Sequence, residues 1–189
     1  MENASKALIM ASSVLLGVMI MSIAVYLFST YAQYSSDTYA KIESTKTAEF
    51  NANFLKYYGK TSYVKINDDG SKIDVTETIK CTVHDIITLA NLAQQNNKYY
   101  QVDNLTDYNL NTFYIRIDIG NNNSTKQLEK WDNDRKIKFI QENSTKDVSV
   151  AQSNGSTKQE KQTKYYYVSE YPIISEETQR VCYIKFEEL

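Results

Sequence analysis

Three groups of residues in this sequence are of types that do chemistry. His84 is the only histidine, and a catalytic imidazole needs an orienting carboxylate and usually a nucleophile. Asp85 follows it, but both fall in the first turn of a predicted helix, where a solvent-facing pair is the plainer reading. Asn67-Asp68-Asp69-Gly70, with Asp74 beyond, has the outline of a calcium loop. Setting Gly70 at the sixth loop position puts Lys65 at the first and Thr76 at the twelfth, and both break the EF-hand pattern. A hairpin turn is expected there instead. Cys81 and Cys182 are the two cysteines, too far apart for the short ligand spacings of a zinc site. Two alternatives stay open for them. One is a disulfide closing a loop of about 100 residues, worth up to ~4.7 kcal/mol in the chain-entropy model. The other is a pair of buried free thiols, since cysteine is among the most buried residue types. The five glycines do not cluster, so a phosphate-cradling loop is not expected. The reading is a non-enzymatic chain without cofactor or metal.

Composition narrows the partners. The formal net charge is −2 and the pI about 5.5, so no basic excess argues for nucleic acid. Sixteen tyrosines stand against one tryptophan and six phenylalanines. Tyrosine has an apolar body and a polar tip, which suits half-buried sheet faces and contact surfaces; codon usage in an AT-rich genome gives the same bias.

The elements that would position any site begin with Ala7 to Phe28, 22 residues without a charge, an amide side chain or a proline. As a helix this run covers roughly 33 Å, enough for a hydrocarbon core of ~30 Å, and a lone spanning segment must be helical to satisfy its own backbone. The apolar run is longer than that of a cleavable signal peptide, and bulky Tyr26, Leu27 and Phe28 occupy its end, so a retained anchor is expected. Lys6 precedes the run and the next cation is Lys41, which by the positive-inside rule puts the N-terminus in the cytoplasm and the rest outside.

Between Gly17 and Gly59 neither glycine nor proline occurs, so the helix is expected to continue through Ser29–Tyr58 and to close at Gly59. Ser35-Ser36 and Ser44-Thr45 are places where it would bend or break. Tyr39, Ile42, Lys46, Phe50, Phe54 and Tyr57 recur at helical steps and share a face. Residues 1–58 are read as anchor and amphipathic stalk, and residues 59–189 as one extracytoplasmic head, large enough for one compact domain. In the head, Thr61–Ile66 and Lys72–Ile79 read as a hairpin. Thr82–Gln95 reads as a helix with Thr82 as N-cap and Asp85 completing a capping box. Thr112–Ile119 alternates as a half-buried strand, Gln127–Trp131 is a helical turn, and Lys136–Ile140 is another strand. Gln141–Lys164, with Asn154-Gly155 at its centre, reads as a long exposed loop. Tyr165–Ile174 and Arg180–Phe186 form a closing hairpin in which Cys182, Ile184 and Phe186 share one face, with Pro172 marking a sheet edge or bulge. The fold class is α+β: a long N-terminal transmembrane and stalk helix, then a small head of mainly antiparallel sheet and one packed helix.

A helix apolar in its first half and amphipathic in its second, followed by a small α+β head, resembles the type IV pilins and pseudopilins. The likeness rests on Ala7–Phe28 and its extension to Tyr58. It implies a helix that anchors the subunit in the membrane and later packs in a filament, and a disulfide bracing the C-terminal region, for which Cys182 with Cys81 would serve. The family usually carries a basic leader ending in Gly and a Glu at the fifth mature position; here Ser5 stands fifth and Glu2 is the nearby acid. The expectation is therefore either a differently processed N-terminus or a membrane protein of similar outline. The start MENASKAL and the stretch Phe50 to Lys60 are also similar to small single-pass proteins of low-GC Gram-positive bacteria, which implies exposure at the cell surface. The expected function is a structural subunit of a pilin-like assembly in the plasma membrane, a homo-oligomer through its N-terminal helix with Tyr39, Ile42, Phe50 and Phe54 as the assembly face. The alternative is a monomeric anchored binding or adhesion module.

Overall fold

The computed structural model describes residues 2–120, 126–151 and 157–189. They fall into two compact units, Met1–Lys46 and Thr47–Leu189, and the chain is α+β.

Helix α1 runs from Glu2 to Leu55 without interruption. The break expected at Ser35-Ser36 or Ser44-Thr45 does not occur. The Thr45 hydroxyl donates to the Lys41 carbonyl, and hydroxyls elsewhere along the helix do likewise, Ser12 to Ile9, Ser22 to Val18 and Thr38 to Tyr34. The helix ends at Leu55, short of the expected Tyr58, and Gly59 lies beyond its end at φ +112°, where a side chain would be strained.

In the C-terminal unit, β1 (Lys60–Ile66) and β2 (Lys72–Thr78) pair antiparallel as expected. Asp69 is consumed by the turn between them. Its carboxylate accepts from the Ser71 N–H at 2.9 Å and the Ser71 hydroxyl at 2.6 Å, and these bonds hold it below its ordinary range. Helix α2 spans Val83–Tyr99 and carries the predicted capping box, with Thr82 and Asp85 bonding each other's backbone. It continues past Gln95 because Asn96 and Asn97 are buried at its end and bond the chain that follows.

The principal sheet has the order β4-β3-β9-β7, with β8 also on β9. Its strands are β3 (Arg116–Ile119), β4 (Lys126–Gln127), β7 (Tyr166–Val168), β8 (Ile173–Ile174) and β9 (Val181–Glu188). β3 and β9 run parallel, and the other pairs are antiparallel. The expected long partner of β9 is split into β7 and β8, and the fully buried Pro172 lies between them, where it has no N–H to give the ladder. β3 is shorter than expected and covered on both faces. Ile115, Ile117 and Ile119 enter the core, while Tyr114 and Asp118 on the other side are equally buried. Asp118 is covered by its own neighbour, Arg116, whose Nη2 lies 2.8 Å from the carboxylate.

Two further expectations are overturned. Lys136–Ile140 is not a strand but part of α3 (Asn133–Asn143), capped by Asp132, which accepts from the Arg135 N–H at 2.8 Å. The helical period is hidden because the inward position belongs to Lys136, 2% exposed, while the apolar Ile137 is 53% exposed. The Lys136 ammonium is accepted by the side-chain oxygens of Asn91 and Gln94, both at 2.9 Å, so the head has a second packed helix. Gln141–Lys164 is not a loop: α3 continues to Asn143, and β5 (Thr145–Ala151) pairs antiparallel with β6 (Thr157–Thr163). Asn154-Gly155 lies outside the described residues. Gln159 reaches across to the Ser149 hydroxyl at 2.8 Å, and β6 carries no apolar residue to mark the pairing.

The core lies between α2, α3 and the principal sheet, and includes Ile86, Ala90, Ile117, Phe139, Ile184 and Phe186.

Candidate functional site

In the N-terminal unit the apolar run of α1 is exposed along its whole length. Within α1 a window reaches mean hydropathy 2.4 with none of it buried, and no other described helix is long and apolar enough to cross a membrane. Exposed apolar area costs about 25 cal/mol per Å² in water, so this segment calls for a non-aqueous surrounding. Its serine hydroxyls are already bonded within the helix, as an apolar solvent requires. Further along, Tyr39 and Ile42 are 72% and 45% exposed.

The last turns of α1 belong to the C-terminal unit and are treated differently. Phe54 is 0% exposed and stands in the main core, and Phe50, Leu55 and Tyr57 pack against that core. The four residues expected on one assembly face are thus divided. Phe50 and Phe54 are taken up by the head's own core, their rings 5.2 Å apart, and Tyr39 and Ile42 are left.

Polar contacts fix this seat. The Asn51 side chain pairs with backbone as a strand neighbour would, donating to the Gln179 carbonyl at 2.7 Å and accepting from the Val181 N–H at 2.9 Å. Gln179 stands at φ 56°, uncommon for a residue with a side chain, and Asn51 engages the carbonyl it presents. The Arg180 guanidinium lies 4.2 Å from the centre of the Phe50 ring and donates to the Tyr100 hydroxyl at 2.8 Å and to Asn96 Oδ1 at 2.9 Å. It therefore ties α1 to the end of α2. The Tyr57 hydroxyl donates to Asp85 at 2.9 Å. Burial opposes ionisation of Asp85, but the bonds from the Thr82 N–H and hydroxyl and from Tyr57 outweigh it and hold the carboxyl below its ordinary range.

Cys81 and Cys182 are free and buried in this structure. Cys81 Sγ faces the Tyr166 carbonyl at 3.4 Å and Cys182 Sγ the Ile173 carbonyl at 3.3 Å. Burial, and then the nearby Asp85 charge, push the Cys81 thiol up to about 12, so it is an unreactive thiol at neutral pH. The predicted shared face of Cys182, Ile184 and Phe186 is broken by a bulge. Ile173 pairs with Tyr183 but Ile174 with Val181, which makes Cys182 the extra residue and puts Val181 in the core in its place. His84 is exposed on the first turn of α2. Among the described residues no group of three His, Cys, Asp or Glu could hold a metal ion.

Sequence reasoning missed Asn51, Asn96, Asn97 and Arg180. The partners of Asn51 and Arg180 lie far away in the chain, and no local period marks them. No family model matches the sequence, and no curated protein and no solved structure is similar to it.

Proposed function

We propose that this chain is a membrane-anchored, non-enzymatic structural subunit that assembles with copies of itself through α1. The observation that carries the reading is the helix itself. Its apolar run lacks any covering from the chain, and beyond that run Tyr39 and Ile42 remain exposed on a helix whose Phe50 and Phe54 are consumed by the core. On this reading the anchor sits in the plasma membrane with its N-terminus inside, the C-terminal unit is extracytoplasmic, and Tyr39 and Ile42 meet a neighbouring subunit in a pilin-like assembly. Burying each large side chain contributes roughly 1.5–3 kcal/mol.

The test is electron microscopy of material sheared from cells expressing the chain, beside cells expressing the Tyr39→Ser, Ile42→Ser double variant. Ordered assemblies from the first and none from the second are expected. Monomers in the membrane from both would leave the second reading, an anchored binding or adhesion module. That reading is favoured by the β1–β2 hairpin, which leaves Tyr63, Val64 and Ile66 exposed.

A further inference from the structure

Four aromatic side chains crowd a short stretch of α1. Tyr26, Phe28, Tyr31 and Tyr34 are each between 69% and 76% exposed. At 3.6 residues per turn they spread over about 200° of the helix circumference, Tyr26 and Phe28 at the two ends of the arc and Tyr34 and Tyr31 between them. An apolar stripe that packs on one neighbouring element is about 100° wide, so a single helix or sheet does not cover all four. A lipid interface does, because it surrounds the helix on every side over the roughly 12 Å from Tyr26 to Tyr34. Tyrosine suits that interface, its ring in the acyl region and its hydroxyl among the headgroups. Side chains on a helix lean toward its N-terminus, so the Tyr31 and Tyr34 rings reach back toward the apolar run.

Length gives an independent check. Ala7 to Tyr26 covers about 30 Å of helix, the thickness of a hydrocarbon core. With Tyr26 at one boundary, the ion pair between Lys6 Nζ and Glu2, 2.9 Å apart, falls at the other. Nothing charged enters the core.

We infer that Tyr26, Phe28, Tyr31 and Tyr34 form an interfacial girdle that sets the depth of α1 in a bilayer, with Ala7–Tyr26 in hydrocarbon and Tyr31 and Tyr34 at the headgroups. The inference rests on the membrane-anchor reading and adds a register to it. Ile42 follows Tyr34 by about 12 Å of helix, so Tyr39 and Ile42 emerge into water. There their burial against a second copy gains from the hydrophobic effect, a driving force absent between helices inside lipid.

Depth-dependent fluorescence quenching of the full chain in vesicles tests this, with the wild-type chain supplying the Trp131 baseline. Two variants are compared, Leu16→Trp at the middle of the run and Tyr31→Trp in the girdle, in lipids brominated near the carbonyl or near the methyl end of the acyl chain. Leu16→Trp is expected to quench most with the deep bromines and Tyr31→Trp most with the shallow ones. A Tyr31→Trp signal at the wild-type baseline, or one quenched most by the deep bromines, overturns the girdle while a quenched Leu16→Trp keeps the anchor. Absence of quenching at Leu16→Trp overturns the anchor itself, and the girdle with it.

Discussion

Helix α1 passes through two regions that obey opposite rules. In Met1–Lys46 the apolar side chains stand exposed, and in Thr47–Leu189 the same helix ends with Phe54 fully buried and Phe50 packed on the core. Nothing in the local sequence distinguishes Phe50 and Phe54 from Tyr39 and Ile42, since all four keep helical spacing. The difference lies in what the rest of the chain offers. Near Phe50 it brings Arg180, Tyr100 and the start of β9, and Asn51 locks that meeting with bonds to Gln179 and Val181. A stripe on a helix therefore reports that something is to be covered, and tertiary contacts decide by what.

The largest expected effect breaks the comparison on its buried side. Phe54→Ala removes a fully enclosed ring and should destabilise the C-terminal unit by about 3–5 kcal/mol, as large core truncations do. Chemical denaturation followed by the fluorescence of Trp131, which lies in the same core, measures it. A loss near zero would mean that the end of α1 is not seated.

Next comes the polar side of the seat. Arg180→Leu leaves the Asn96 oxygen and the Tyr100 hydroxyl without the partner they share, and an unsatisfied buried group costs about 1–3 kcal/mol. The same denaturation curve reads the loss. Because Arg180 bonds Tyr100 and Asn96 of the α2 end and stacks on Phe50, its cost should not add to that of Phe54→Ala in the double variant.

Asp85→Ala removes the capping box of α2 and the acceptor for Tyr57, with an expected cost of about 1 kcal/mol at neutral pH. The sign with pH follows from the direction of the shift. The folded carboxyl is held below its unfolded value, so its contribution is present above about pH 4 and is lost as pH falls through the folded value. Stability curves of wild type and variant should converge in acid. A difference that grows in acid would contradict the capping account.

The smallest effect on stability belongs to the exposed side. Tyr39→Ser with Ile42→Ser should change the stability of the C-terminal unit by less than about 0.5 kcal/mol, as surface substitutions do, measured by the same curve. A larger loss would place those side chains against that unit.

How much was legible before the structure follows the same division. α1, the β1–β2 hairpin and the Thr82–Asp85 capping box were readable because each is specified within a few residues. α3 was not, since a lysine occupies its inward position and Ile137 points out. β5–β6 was not, since β6 carries no apolar residue. Of the candidate site, Tyr39, Ile42, Phe50 and Phe54 were legible as a stripe, but its division was not. That division depends on Asn51 and Arg180, whose partners lie up to 130 residues away.

The central claim is that α1 meets a second copy at Tyr39 and Ile42. Oxidative crosslinking of an Ile42→Cys variant in native membranes tests it most directly, because Cys81 and Cys182 are buried and stay silent. The account predicts disulfide-linked dimers from Ile42→Cys and none from an Ala52→Cys control on the exposed side of the seat. Monomers alone from Ile42→Cys, at a density where the wild-type chain is abundant in the same membranes, would contradict it.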